Sequence, residues 1–202
     1  MSFFENTRKP VGFGGKLMVA MMNVGHSAVA RWGLQFLNAA PDAKVLDCGC
    51  GGGANIKRLL KKCPQGIVKG IDYSPVSVEK SKKVNEAAIA EGRCAVLQGS
   101  VADMIFADDW FDAVTAFETV YFWPDLPQCF HKVWQVLKPG GILLICNECG
   151  GDTNRDEKWT EIIGGMTIYT SAELQEYLEQ AGFHDVQIHK NRAGWLCVTA
   201  RK

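Results

Sequence analysis

The sequence has little that would direct it to a polyanion. Its 202 residues include 22 lysines and arginines against 22 aspartates and glutamates, so the formal net charge at pH 7 is zero. No long run of one charge sign occurs, and nothing therefore predicts electrostatic steering toward phosphate backbones or anionic lipid. We expect no nucleic acid partner.

Long apolar runs are also missing. The most apolar early stretch is LMVAMMNVG at residues 17–25, which contains an asparagine and is flanked by Lys16 and His26. It is too short to span a bilayer. We expect no membrane segment, no membrane partner and no signal peptide.

The eight cysteines do not form a recognisable metal-binding pattern. Several lie in apolar, strand-like runs such as LLICNECG and WLCVTA, where a free cysteine behaves as a small hydrophobic residue. Cys48 and Cys50 lie inside a glycine turn at the wrong spacing for a zinc knuckle, and Cys146 with Cys149 forms a second short pair. We expect no metal site and a reduced, cytoplasmic location.

The N-terminal part has the periodicity of helices. A chain of this length, with 47% hydrophobic and 22% charged residues, supports one domain with a short appendage. Apolar residues recur at helical spacing from Leu17 to Leu37 with a break near Gly25, which predicts two helices. We expect residues 1–40 to form a helical lid and residues 41–202 to form the main domain.

From Lys44 onward, short apolar strands alternate with helical segments. The strands are predicted at KVLDCG, GIVKGID, CAVLQGS, FDAVTAFET and GILLICNE, with helices at GANIKRLLKKC, SPVSVEKSKKVNEAAIAEG and LPQCFHKVWQVL. This alternation predicts a parallel, doubly wound sheet with right-handed crossovers. A further helix, SAELQEYLEQAGF, ends at Gly182, and the strands HDVQIHKN and GWLCVTARK follow with only a brief turn between them. Such a short connection joins only antiparallel strands.

The predicted fold class is therefore α/β. We expect a Rossmann-like, doubly wound sheet of seven strands, mostly parallel with an antiparallel C-terminal strand, in a three-layer α/β/α arrangement.

A glycine turn follows the first predicted strand in VLDCGCGGG, residues 45–53. In an open parallel sheet the ligand crevice lies beside this strand, outside the carboxyl ends of the strands. Gly49 and Gly51 permit positive φ and close approach of a ligand to the backbone. The match of GCGGGA to the dinucleotide fingerprint is weak by itself. Asp47 would repel a pyrophosphate but would attract a ligand with an ammonium group and a neighbouring sulfonium, directly or through water.

Four motifs in order resemble those of the class I S-adenosylmethionine-dependent methyltransferases, of the UbiE-like methyltransferase-domain type. They are VLDCGCGGG, GIDYSPVSVEKSKK, LQGSVADMIFADDWFDAV and VWQVLKPGGILLI, and the resemblance runs through most of the chain from Lys44 to Lys202. The resemblance implies a methyltransferase with S-adenosyl-L-methionine as its cofactor.

The same resemblance implies cofactor-binding residues beyond the glycine turn. It gives Asp72 a role on the two ribose hydroxyls, with Tyr73 beside it, and gives Ser100 and Val101 a role on the adenine. Ser100 stands where many members have an acid, and its hydroxyl can still accept a hydrogen bond from the adenine amino group. Alternatively, Asp72 could cap the helix that begins near Ser74.

Glu118, at the end of the fourth strand, would bring its backbone carbonyl toward the methionine part of the cofactor. Its side chain faces either the substrate or solvent.

Catalytic candidates follow from what methyl transfer requires. The protein must align donor and acceptor, exclude water and remove a proton where the acceptor starts protonated. His26 is the main candidate base because it lies near a helix break and because the unperturbed pKa of a histidine suits proton transfer near neutral pH. Glu148, with Tyr169, is a second candidate. Tyr121 and its neighbours Phe122 and Trp123 could present ring faces to an acceptor, or could pack under the N-terminal helices.

The predicted activity is methyl transfer to a small-molecule acceptor by in-line displacement. The alternatives are a module that binds the cofactor or its product without turnover, a methyltransferase of a macromolecule, one with a thiol or metalloid acceptor, and a dehydrogenase. ETVY follows strand four in place of an asparagine-proline-proline-tyrosine motif, which disfavours DNA adenine and protein glutamine acceptors. Either a monomer or a homodimer is compatible with the sequence.

Overall fold

The computed structural model describes residues 25–151 and 157–202. The helices are α1 Ser27–Gly33, α2 Ala54–Lys62, α3 Pro75–Val84, α4 Glu86–Ala90, α5 Leu126–Val136, α6 Glu157–Ile162 and α7 Ser171–Gln180. The strands are β1 Lys44–Cys48, β2 Ile67–Asp72, β3 Cys94–Gln98, β4 Phe111–Phe117, β5 Leu137–Asn147, β6 His184–Lys190 and β7 Leu196–Arg201. Two 3₁₀ turns, Val101–Asp103 and Val120–Phe122, follow β3 and β4.

The strands form one seven-stranded sheet in the order β3-β2-β1-β4-β5-β7-β6. β1 pairs in parallel with β2 and β4, and the parallel pairing continues to β3 on one side and β5 on the other. β7 is antiparallel to both of its neighbours. The predicted sheet, mostly parallel with an antiparallel C-terminal strand, is confirmed.

Helices cover both faces of the sheet. Buried residues of α1, α2 and α3, including Val29, Ile56 and Val78, share one core cluster with β1 and β2. Residues of α5 and α7, including Phe130 and Leu174, share a second cluster on the other face. The predicted three-layer arrangement is confirmed. Among the described residues, no helix is long and apolar enough to cross a membrane.

The helix α1 is packed directly on the sheet. Gly33 lies against Cys146 of β5 so closely that a Cβ at position 33 would come within 2.5 Å of the Cys146 Sγ. Cys146 Sγ also lies 3.5 Å from the carbonyl oxygen of Val29. This helix confirms the second of the two predicted N-terminal helices; the first lies outside the described residues. The lid over residues 1–40 stays a prediction.

One predicted helix is wrong in its extent. The segment SPVSVEKSKKVNEAAIAEG forms two helices, α3 and α4, which are separated at Asn85. The Asn85 side chain is buried, and its Nδ2 donates to the carbonyl oxygens of Gly53 and Ser81 at 3.1 and 3.0 Å. Asparagine competes with the helix by such local bonds, so the helix breaks where this side chain holds the glycine turn.

Candidate active site

A cavity of about 320 Å³ opens at the carboxyl ends of β1, β2 and β4, beside the glycine turn. This is the crevice where an open α/β sheet holds its ligand, and the volume suits a small molecule. Eight of the eleven sequence-predicted site residues line the cavity: His26, Gly49, Gly51, Asp72, Tyr73, Ser100, Val101 and Glu118. The other three are Asp47, Tyr121 and Glu148.

The glycines of the turn serve two different purposes. Gly49 has φ +70°, and a Cβ there would come within 2.0 Å of Thr119 Oγ1, so this glycine is required for packing between the loops after β1 and β4. Gly51 has φ +51°, and a Cβ there would meet nothing within 4 Å. Because Gly51 lines the cavity, its missing side chain leaves room for a ligand against the backbone.

Asp47 lies beneath the turn and is only 1% exposed. Its Oδ1 accepts a hydrogen bond of 2.8 Å from the Thr115 hydroxyl, and its Oδ2 has no hydrogen-bond partner among the described residues. Burial raises the pKa of Asp47 to about 7, the Thr115 hydroxyl lowers it, and the Asp72 charge raises it further. A buried carboxylate with one unmatched oxygen is suited to a cationic ligand group.

Asp72 joins the glycine turn to the helix that follows β2. Its Oδ2 accepts from the Gly51 N–H at 2.8 Å, and its Oδ1 accepts from the Ser74 N–H at 2.9 Å. Burial raises its pKa, while these backbone donors act in the opposite direction. The helix cap itself is Ser74, whose hydroxyl accepts from the Ser77 N–H at 3.4 Å. Each carboxylate oxygen of Asp72 keeps a second lone pair that could accept from a ligand hydroxyl.

The far end of the cavity is formed by the turn after β3. Ser100 Oγ accepts from the Ala102 N–H at 3.2 Å and thereby caps the 3₁₀ turn, and Val101 is buried directly after it. The Ser100 hydroxyl keeps a donor and one further lone pair for a ligand. Tyr73, which lines the same wall, is 37% exposed.

Three titratable side chains meet at the other end of the cavity. His26 Nδ1 lies 3.5 Å from a Glu148 carboxylate oxygen and 3.9 Å from one of Glu118. The Glu148 backbone N–H donates to the other Glu118 oxygen, so the loops after β4 and β5 are tied together. Glu118 adopts φ +58°, an uncommon conformation for a residue with a side chain, and its side chain is only 12% exposed. The interpretation of Glu118 as a solvated strand end is therefore wrong.

In this cluster the pKa values of Glu118 and His26 are raised. Burial raises the pKa of Glu118 to about 7; His26 lowers it and the Glu148 charge raises it. For His26, burial lowers the pKa, but the neighbouring Glu148 and Glu118 carboxylates outweigh burial and the net shift is upward. A group of this kind can exchange a proton near neutral pH.

The same cluster is also the one set of described residues whose ligand atoms, all within 4.8 Å of one another, could hold a metal ion. The described cysteines are free thiols; Cys149 is partly exposed and the rest are buried.

Tyr121 has a supporting position. Its hydroxyl accepts from the Cys149 N–H at 2.9 Å and donates to the Cys149 carbonyl at 3.1 Å, and the residue is 3% exposed. Burial raises its pKa well above the ordinary value. Tyr121 itself does not line the cavity, but its neighbours Phe122 and Trp123 do. The hydroxyl of Tyr121 therefore fixes the loop that carries Glu148.

Sequence reasoning missed several polar residues of the wall. They are Asn55, Arg58, Ser77 and Thr119. Asn55 and Arg58 lie one turn apart on α2, directly after the glycine turn, so helical spacing from Gly53 could have indicated them. Thr119 carried no signal in the sequence, because its contact with Gly49 depends on two loops that are distant along the chain.

The chain is similar to known methyltransferases. A family model described as a methyltransferase domain matches residues 46–145. Cycloartenol-C-24-methyltransferase 1 of Oryza sativa subsp. japonica is 32% identical over 113 residues, which cover 56% of this chain and 33% of that protein. Phosphoethanolamine N-methyltransferase of Triticum aestivum is 29% identical over 174 residues, which cover 84% of this chain and 33% of that protein. The chain thus spans about a third of the length of these relatives.

Solved structures share the fold. A chain in the complex between the Haloferax volcanii Trm112 methyltransferase activator and its methyltransferase has a TM-score of 0.85 at 22% identity, covering 93% of both chains. Residues 46–145 contain the glycine turn, Asp72, Ser100 and Glu118, so the matched domain includes most of the cavity wall. Through this domain the chain belongs to the class I S-adenosylmethionine-dependent methyltransferases, whose cofactor is S-adenosylmethionine.

Proposed function

We propose that the chain transfers a methyl group from S-adenosylmethionine to a small-molecule acceptor by in-line displacement. The observation that carries this proposal is the cavity itself. A glycine turn and buried carboxylates lie along one part of it, and a histidine paired with two glutamates lies at one end. A cofactor site and a proton-transfer group therefore share one enclosure.

The wall residues suit the parts of this cofactor in order. Ser100 and Val101 would hold the adenine, and Asp72 would accept from the ribose hydroxyls. Gly51 offers open space against its backbone, and Asp47 lies below it with an unmatched oxygen for the ammonium group. The observed cradle therefore fits the cofactor.

S-adenosylmethionine supplies a methyl group on a sulfonium, which is already activated for displacement. The chain's own residues have to orient the acceptor, exclude water and remove a proton. His26 Nδ1 faces the carboxylates of Glu148 and Glu118, which favours the tautomer with the proton on Nδ1 and leaves Nε2 to accept the acceptor's proton. The two carboxylates then stabilise the imidazolium. Phe122 and Trp123 would pack against the acceptor.

The acceptor class is inferred from several features together. The cavity is small, the net charge is zero, and the names of the two relatives contain cycloartenol and phosphoethanolamine. We infer a small-molecule acceptor and no nucleic acid or membrane partner.

We further propose a cytoplasmic location and either a monomer or a homodimer. Light scattering after gel filtration measures the last of these.

Titration calorimetry tests the cofactor assignment directly. We expect the purified protein to bind S-adenosylmethionine and S-adenosylhomocysteine but not NAD, and to turn over with at least one member of a panel of phenols, amines, thiols and metalloids. Binding of NAD alone would contradict the proposal. Binding without turnover across the panel, also with macromolecular acceptors, would favour a binding module.

His26→Asn tests the acid-base role. We expect turnover to fall by about 10²–10⁴-fold, the usual contribution of a general base, with the affinity for S-adenosylhomocysteine retained. His131→Asn is the matched control, because His131 stacks on Trp134 away from the cavity. The pH profile of the His26→Asn variant should lose its acidic limb. An unchanged rate would remove His26 from the mechanism.

A chelator distinguishes proton transfer from metal binding at the same cluster. We expect turnover to survive dialysis against EDTA, because His26 and its carboxylates act by exchanging a proton. Loss of turnover that magnesium or manganese restores would instead make His26, Glu118 and Glu148 metal ligands.

A further inference from the structure

Arg58 is a cation in the cavity wall whose hydrogen-bond partners are neutral. Its Nη1 donates to Asn55 Oδ1 at 2.7 Å, and its Nη2 donates to the Ser27 hydroxyl at 2.7 Å. A guanidinium has five N–H donors, so donors remain after these two bonds. Within residues 25–151 and 157–202, no carboxylate lies at ion-pair distance from Arg58.

The position of this charge is fixed from two helices. Asn55 lies one turn before Arg58 on α2, which starts at the glycine turn, and Ser27 begins α1 next to His26. The two neutral acceptors hold the planar guanidinium in one orientation, which reduces the entropy lost when it binds an anion. Burial, and then the charge of Arg31, lower its pKa, while the charge of Asp47 acts in the opposite direction with a smaller effect. The net shift is downward, so a ligand anion at this point would favour the charged guanidinium.

The charges around the glycine turn match the two ends of an α-amino acid. Asp47 lies below the turn with an unmatched carboxylate oxygen, and Arg58 lies beside the turn with unused donors. An ammonium and a carboxylate on one carbon atom would satisfy both groups. Arg58 also lines the cavity, whereas the neighbouring Lys57 is exposed and does not.

We propose that Arg58 binds the carboxylate of the cofactor's amino-acid end and so selects ligands that carry it. This inference rests on the proposed function, because it takes S-adenosylmethionine as the ligand. It adds a residue that acts on one chemical group of that ligand, and its contact with Ser27 links the bound carboxylate to the helix next to His26.

A ligand lacking only the carboxylate tests the proposal by calorimetry. Decarboxylated S-adenosylmethionine keeps the adenosine, the sulfonium and the ammonium group. We expect the wild type to bind it about 10–100-fold more weakly than S-adenosylmethionine, as for the loss of charged hydrogen bonds. Arg58→Met should weaken the binding of S-adenosylmethionine by a similar factor and leave the affinity for the decarboxylated ligand unchanged. Lys57→Met, the matched control on the same helix, should change neither affinity.

A second variant, Arg58→Lys, and the wild-type protein distinguish failure of this inference from failure of the proposed function. Arg58→Lys retains the charge but loses the planar fork, so its affinity for S-adenosylmethionine should lie between those of the wild type and Arg58→Met. The inference would be overturned if Arg58→Met lost affinity equally for both ligands, or lost affinity for neither. Failure of the wild type to bind S-adenosylmethionine at all would instead overturn the proposed function.

Discussion

At the residue scale, the buried carboxylate of Asp47 links cofactor binding to pH. In the free protein, burial raises its pKa to about 7, so the carboxyl group is largely protonated at pH 6. An ammonium group placed against it favours the ionised form and lowers that pKa. Binding then releases a proton, and affinity rises with pH until the free carboxyl group is itself ionised.

We therefore predict that the affinity for S-adenosylhomocysteine increases up to about tenfold per pH unit as the pH rises toward 7, and then levels off. Asp47→Asn should bind more weakly and lose most of this dependence, because an amide does not titrate. Calorimetry from pH 5.5 to 8 measures both effects. The control ligand is 5′-methylthioadenosine, which has no ammonium group and should show the same affinity trend in both proteins. A pH dependence that Asp47→Asn retains would contradict the assignment.

Individual residues were predictable from sequence when a local pattern exposed them. Asp47 precedes a glycine turn and Asp72 ends an apolar strand, so their places followed from the strand pattern and the family motifs. Arg58 and Thr119 were missed. Arg58 lies in a lysine- and arginine-rich helix, where helical spacing from the glycine turn was the one local signal that could have separated it from the exposed Lys57.

At the scale of elements, the glycine turn combines a binding position with a packing position. Gly51 leaves open space toward the cavity, whereas a Cβ at Gly53 would come within 2.5 Å of Ser81 Oγ and of Asn85 Nδ2. Both glycines have positive φ, so backbone strain from substitution is similar in kind at the two positions. The surroundings of the added methyl group differ.

We predict that the alanine variant at Gly51 mainly loses ligand affinity and that the alanine variant at Gly53 mainly loses stability. Gly51→Ala should weaken the binding of S-adenosylhomocysteine by at least about tenfold, because the added methyl group occupies space needed by the ligand. Its loss of stability should be limited to about 1–2 kcal/mol from backbone strain. Gly53→Ala should lose a further ~1–3 kcal/mol of stability from overpacking against α3. Urea unfolding and calorimetry on both variants measure this. Wild-type affinity in Gly51→Ala would show that the ligand does not approach this backbone.

Strand ends were easier to predict than helix ends. The carboxyl ends of β4 and β5 meet because parallel neighbours end at the same edge of the sheet, and this brings Glu118 beside Glu148. The break between α3 and α4 was not predictable from periodicity, since the cause is a bond from Asn85 to the Gly53 carbonyl 32 positions away in sequence.

At the scale of the whole molecule, the raised pKa values act together on stability. Asp47 and Glu118 have pKa values of about 7, and those of Asp72 and His26 are also raised. A group whose folded-state pKa exceeds its unfolded value stabilises the fold below the unfolded value and loses that contribution as the pH rises through the folded value. His189, whose pKa is lowered by burial, acts in the opposite sense.

We predict that the free energy of unfolding of the cofactor-free protein falls as the pH rises from 5 to 8. Urea denaturation at three pH values across this range measures the trend. Glu118→Gln should reduce the slope, since glutamine does not ionise. Saturating S-adenosylhomocysteine should raise stability at every pH by mass action. Increasing stability toward pH 8 in the cofactor-free protein would contradict the pKa pattern.

The overall fold was predictable because two signals agree along the chain. Alternation of apolar strands with helical segments fixed the parallel sheet, and the short connection between the last two strands fixed the antiparallel pairing. The order in which β7 enters the sheet carries no comparable local signal. It depends on which edge of the sheet the final strand can reach.

The place of β7 has a consequence for synthesis on the ribosome. The described cavity wall ends at Pro124, whereas β7, which lies inside the sheet between β5 and β6, begins only at Leu196. All of these wall residues therefore emerge before the strand that covers β5. Until then, the hydrogen-bonding edge of β5 is open on the nascent chain, and an open strand edge is a template for pairing with other chains. The unfinished edge, rather than the cofactor cavity, is where a nascent chain is most exposed to misassembly.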